Sequence, residues 1–207
     1  MSFIEKVYKK EINGDALKAL TDAIFAVAMT ILVLDIKRPE SLNALLQPGA
    51  YNTYISSLFF DILLCVFVFA ILCYIWIGLR HMLEDIEKTD KISLWVMIIL
   101  LMGVVFVPLF YFFLVDECGQ TFPLFTILFH LNFILICVCW ALEFYYCANK
   151  GFMGEVSNII PKMRNILVFP FAAFVAVIIT LLGYPVSSNF AYVIFPVLKQ
   201  LYLHFKK

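Results

Sequence analysis

Six apolar stretches, each of about the length that crosses a lipid bilayer, constrain this chain more than any other feature of it. A span needs about 20 predominantly apolar residues to cover roughly 30 Å of hydrocarbon, since each helical residue rises about 1.5 Å. The stretches run from about Ala16 to Ile36, Tyr54 to Leu79, Ile92 to Val115, Phe122 to Cys147, Ile166 to Leu182 and Phe190 to Leu203. The second is long enough to tilt or to extend past the headgroups, and the last is short and carries Pro196 and Lys199. The expected fold class is therefore all-α, a polytopic membrane protein of six transmembrane helices. No hydrophilic stretch is long enough for a separate soluble domain, so residues 1–207 read as one membrane domain.

The balance of residues agrees. Of the 207 residues 64% are hydrophobic, 22 of them Phe, against roughly 45–50% apolar content in a soluble domain. Charged residues are 14% and gather in short clusters between the apolar runs, as loops between bilayer spans do. Lipid is the expected partner. A net charge of zero gives no reason to expect nucleic acid or an acidic partner. With six spans, one side of the membrane holds Lys6, Lys9, Lys10, Arg80, Lys88, Lys91, Lys150, Lys162, Arg164, Lys206 and Lys207, and the other only Lys37 and Arg38. Lys and Arg are retained on the cytoplasmic side, so both termini are expected there, in a multi-pass protein of the cell membrane. The polar start MSFIEKVYKKEINGD has no cleavage signal after a short apolar core, so the first helix is expected to remain in the mature protein. Cys65, Cys73, Cys137, Cys139 and Cys147 lie in apolar segments and only Cys118 in a loop, without a CxxC pair; they read as packing residues.

Polar groups inside spans are costly, on the order of several kcal/mol each when unsatisfied, and are the first candidates for function. Asp22 lies in the first apolar run near its inner end. It reads either as a fixed carboxylate holding a helix contact or meeting a cation, or as an acid within reach of headgroup water. On a helical projection Ala23, Val27, Thr30 and Leu34 fall within an arc of roughly 60°, with Ile31 at its edge. Facing a pore, such a stripe would gate by dewetting at its apolar rings and offer ions the Thr30 hydroxyl. On spacing alone it is more often the pattern of ordinary packing, with Thr30 bonded to its own backbone one turn back. Asp61, His130 and Asn132 sit at similar depth and read as a structural hydrogen-bond set or an ion or proton site. Asp35 and Lys37 mark the outer end of the first helix, while Glu143 and Lys199 are expected to reach the inner interface by snorkelling. There is no GxSxG, HExxH, phosphate loop or TVGYG filter, and the three histidines are dispersed. No catalytic residue, metal or cofactor is expected.

The run from Leu20 to Glu40, LTDAIFAVAMTILVLDIKRPE, resembles the first-helix signature of the lysosomal/endosomal potassium channel family and its prokaryotic homologues. There, Arg-x-x-x-Phe-Ser-Asp leads into an apolar run closing on Leu-Asp-hydrophobic-Lys and a Pro. Asp22 matches the signature aspartate, Thr21 replaces the serine and Leu20 the phenylalanine. Tyr74 and Trp76 in the second span and VPLF around Pro108 in the third are weaker echoes. Ala16 stands in place of the signature arginine, and Leu79 in place of the histidine that follows the tryptophan, with Arg80 and His81 just after. Lys18 is a candidate substitute charge.

The resemblance implies a homotetramer of six-helix subunits with the first helices around a central pore. Potassium is the implied permeant species, preferred over sodium among monovalent cations. Carried over by position, the pore liners are Val27, Thr30 and Leu34, three of the four stripe residues. The implied roles are constriction for Val27 and Leu34 flanked by Ala23 and Ile31, selectivity for Thr30, and a structural network of Leu20, Thr21, Asp22 and Trp76. Two rivals stand beside it: a proton-coupled transporter using Asp22, Asp61 and His130, and a membrane enzyme or assembly protein that passes no ions.

Overall fold

The computed structural model describes residues 14–36, 39, 46–86, 89–115, 122–153, 166–192 and 194, and within them every regular element is helical. The elements are α1 (Gly14–Leu34), α2 (Ala50–Asp85), α3 (Lys91–Val115), α4 (Pro123–Lys150), α5 (Val168–Leu181) and the single turn α6 (Pro185–Ser188). The first four are long and apolar enough to cross a membrane. They coincide with the first four expected spans within a few residues, except that α2 begins at Ala50 and continues to Asp85. Its last turns, LRHMLED, are polar at several positions, so the apolar run ends before the helix does. The fifth differs more. With 14 residues, α5 rises only about 21 Å, short of the roughly 30 Å of hydrocarbon. It stops at Gly183, whose φ of 93° favours glycine. Of the sixth expected span only residues 190–192 and 194 are described; Pro196 and Lys199 lie outside the described residues, as do Lys37, Cys118 and most loop cations of the orientation argument.

The core lies between α4 and its neighbours α3 and α5, and α1 packs across both α2 and α3. Two glycines permit the closest approaches. A Cβ on Gly103 of α3 would stand 2.8 Å from Ile136 of α4, and one on Gly78 of α2 would stand 2.3 Å from the Trp140 ring of α4. Asn132 uses the first approach to donate from Nδ2 to the Gly103 carbonyl at 2.9 Å. Pro108 sits inside α3, which runs through it without interruption. The apolar side chains left over point outward: Phe69, Ile77, Trp95, Phe106, Leu131, Leu142 and Phe174 are among the exposed ones, as expected where lipid is the solvent.

Helix ends are closed by local chemistry. Asp90 caps α3 by accepting from the Ser93 backbone N–H at 3.0 Å, and the Tyr146 hydroxyl of α4 donates to its other oxygen. Desolvation raises the Asp90 pKa, but these bonds, a further one from Ile92 and the nearby Lys150 charge outweigh it, leaving the carboxyl below its ordinary 3.8. Gly151 ends α4 with φ 66°, and Phe152 donates back to the Cys147 carbonyl at 3.0 Å, the glycine-terminated helix end expected there. Ile86 and Met153 then form an isolated antiparallel bridge that ties the ends of α2 and α4 together.

Candidate functional site

The face that α1 buries is Leu17, Thr21, Phe25, Ala28 and Leu32, a spacing of three and four residues that follows one side of a helix. Phe25 is 1% exposed and Leu32 0%. Roughly opposite lie Ala23, Val27, Thr30 and Leu34, all exposed, with Val27 at 56% and Leu34 at 67%. Ile31, at the edge of the stripe, is 38% exposed. Among the described residues the stripe is thus left exposed, while α1 uses its other face on α2 and α3. The Thr30 hydroxyl donates to the Val27 carbonyl at 2.8 Å. That bond uses the only hydroxyl proton and leaves the oxygen lone pairs on the exposed side of the helix.

Asp22 borders both faces and is clamped from α2. The Trp76 indole N–H donates to Oδ1 at 2.8 Å, and Arg80 Nη1 meets Oδ2 at 2.6 Å. Trp76 and Arg80 are four residues apart and so share a helix face. Arg80 also reaches Glu84 at 3.3 Å. The charge opposite Asp22 is thus Arg80, and the candidate substitute Lys18 instead pairs with Asp15 at 3.7 Å. Sequence reasoning had Arg80 in view and left it unassigned, although its i+4 spacing from Trp76 was the available signal. Thr21, buried on the packing face, returns its hydroxyl to the Leu17 carbonyl at 2.9 Å, and Leu20 is exposed. Met29 and Cys73 approach at 3.9 Å further along the same α1–α2 contact.

Of the other intramembrane polar residues, His130 and Asn132 each have partners of their own. His130 is fully buried, with Nδ1 2.9 Å from the Tyr192 hydroxyl and Nε2 2.8 Å from Ser188 Oγ. Asn132 turns to Gly103, and at Asp61 the backbone carbonyl accepts from Tyr111. His130 and Asp22 therefore serve separate contacts. Glu143 corrects the sequence expectation of snorkelling: it is 0% exposed, accepts from the Ser93 hydroxyl of α3 and from Cys147 Sγ at 3.3 Å. Both bonds fall on Oε1, while Oε2 is buried with no partner among the described residues. Of the six cysteines, Cys65, Cys73, Cys137, Cys139 and Cys147 are described and free. Among the described residues no group of three or more His, Cys, Asp or Glu is placed to hold a metal ion.

Residues 16–108, containing α1, α2 and most of α3, match the profile of the endosomal/lysosomal potassium channel TMEM175. The matched stretch is a little under half of the chain. No curated protein matches the chain. Its fold is similar to that of a solved threonine-to-alanine variant of the potassium channel MtTMEM175, determined in complex with a nanobody–MBP fusion. The two share 17% sequence identity and a TM-score of 0.62, over 96% of this chain and 94% of the other. The likeness of fold therefore extends past the family match, through α4 and α5. The matched stretch contains Asp22 and the outward stripe of α1.

Proposed function

We propose that this chain is the subunit of a potassium channel in which several copies, four by family analogy, bring their α1 helices around a common axis. Each subunit would have six membrane helices, with both termini cytoplasmic. The observation that carries the reading is the outward stripe Ala23, Val27, Thr30 and Leu34. A helix that buries one face in its own subunit and shows the other to its surroundings is placed to line a shared path. The family supports conduction over catalysis, since it is one of ion channels.

In this reading Val27 and Leu34 form apolar rings, which resist ion passage because a narrow apolar segment sheds its water. The Thr30 ring lies between them. Its donor is held by the Val27 carbonyl, so the oxygens would face the path as weak dipolar ligands that replace part of an ion's hydration and favour potassium. Asp22, bonded by Trp76 and Arg80, would hold the inner part of α1 at a fixed angle to α2. Leu34→Asn or Val27→Asn should raise single-channel conductance in reconstituted bilayers by about twofold or more, because a polar ring lowers the dewetting barrier. Conductance equal to that of the parent in both variants would remove these residues from the constriction.

A further inference from the structure

After α5 the chain turns at Gly183, makes the single turn α6 and comes back against α4, where three polar side chains meet. His130 of α4, Ser188 and Tyr192 are all buried. His130 Nε2 lies 2.8 Å from Ser188 Oγ and Nδ1 lies 2.9 Å from the Tyr192 hydroxyl. Ser188 Oγ in turn lies 2.6 Å from the Pro185 carbonyl. Tyr192 also packs on Phe67 of α2, with ring centroids 6.2 Å apart, so this contact holds residues 185–192 to both α4 and α2.

The position of each proton follows from the partners. A carbonyl only accepts, so the Ser188 hydroxyl gives its one proton to Pro185 and can only accept from His130. Nε2 therefore carries the ring proton. In a neutral ring Nδ1 is then an acceptor, and the Tyr192 hydroxyl donates to it. Three protons meet three acceptors. A second ring proton, at Nδ1, breaks this match: Tyr192 would have to turn and accept, and its own proton would lose the acceptor it has, at a buried site where such a loss is costly. Around the contact stand the Phe129 and Phe133 rings of α4. Among the described residues the titratable groups facing His130 are Tyr192 itself and, near Tyr192, the Cys137 thiol of α4.

We propose that His130 is a proton-operated latch for the segment that follows α5: with a neutral ring it fastens residues 185–192 to α4, and a proton taken up at Nδ1 releases them. It is separate from the α1 stripe and stands whether or not the stripe conducts. The test begins with nitrogen NMR of the full chain in lipid bilayers, labelled in histidine and carrying His81→Gln and His204→Gln so that His130 alone is observed. Near neutral pH the ring should be uncharged with its proton on Nε2. Ser188→Ala should move that proton to Nδ1, where the Tyr192 oxygen can accept it. Hydrogen exchange of the backbone amides in residues 185–192, corrected for intrinsic rates, should lose about tenfold or more in protection as the pH is lowered and the ring takes up its second proton. His130→Gln keeps a donor and an acceptor but does not titrate there, so its protection should stay constant over the same range. A parent ring that is charged or protonated on Nδ1 at neutral pH, or a Ser188→Ala ring still protonated on Nε2, would overturn the latch. So would a parent ring that takes up no second proton before the chain unfolds, protection that is unchanged when it does, or the same loss of protection in His130→Gln.

Discussion

At Thr30 the same hydrogen bond that marks ordinary helix behaviour also sets up a possible ligand. The hydroxyl returns its proton to Val27, the outcome expected of a lone threonine in a membrane helix, yet the residue stays exposed and its lone pairs are uncommitted. Thr30→Ala removes those oxygens without adding bulk. It should reduce discrimination between potassium and sodium, read as a shift in reversal potential under bi-ionic conditions; an unmoved potential would assign selectivity elsewhere. The sequence singled out Asp22 and Trp76, which the structure joins by a hydrogen bond, and left Arg80 unassigned. Helical spacing puts Trp76 and Arg80 on one face, but only the packing of α2 on α1 decides that this face meets Asp22. Both members of the ion pair are more than a third exposed, so the pair is worth about 1 kcal/mol at most. Asp22→Asn and Arg80→Gln should be coupled by roughly 0.5–1 kcal/mol in a double-mutant cycle on thermal unfolding in detergent. Strict additivity would deny the pair a stabilising role.

Among the elements, α1 to α4 were legible because each is a long apolar run, and length decides spanning almost by itself. What the runs do not show is where a helix continues after its hydropathy falls, as α2 does to Asp85, or that α5 stops after 14 residues. Glu143 was misread for a related reason: its burial depends on Ser93, 50 positions away on α3, which no spacing along α4 reveals. The α3–α4 seam gives the sharpest test of the packing. Gly103→Ala would drive a Cβ to 2.8 Å from Ile136 and disturb the Asn132 bond to the Gly103 carbonyl. Overpacking of this kind should destabilise the chain by about 1–3 kcal/mol, seen as a lower midpoint of thermal unfolding in detergent, and an unchanged midpoint would mean the seam is looser than described.

For the whole molecule, one copy of the chain accounts for its own core but not for the outward stripe of α1. A face that is apolar except for Thr30, on a helix whose other face is filled, is as suited to lipid as to a pore when viewed in one copy. The proposed pore rests on the match of residues 16–108, which include this helix, to a potassium-channel profile. Assembly and conduction are then one claim, since the path exists only where α1 helices meet. The most direct test is cation flux by the purified chain reconstituted into liposomes, driven in turn by potassium, sodium and caesium gradients. The account predicts passive flux that needs no proton gradient and is several-fold faster for potassium than for sodium. Liposomes that stay tight to potassium, or that pass it only with a proton gradient, would contradict it.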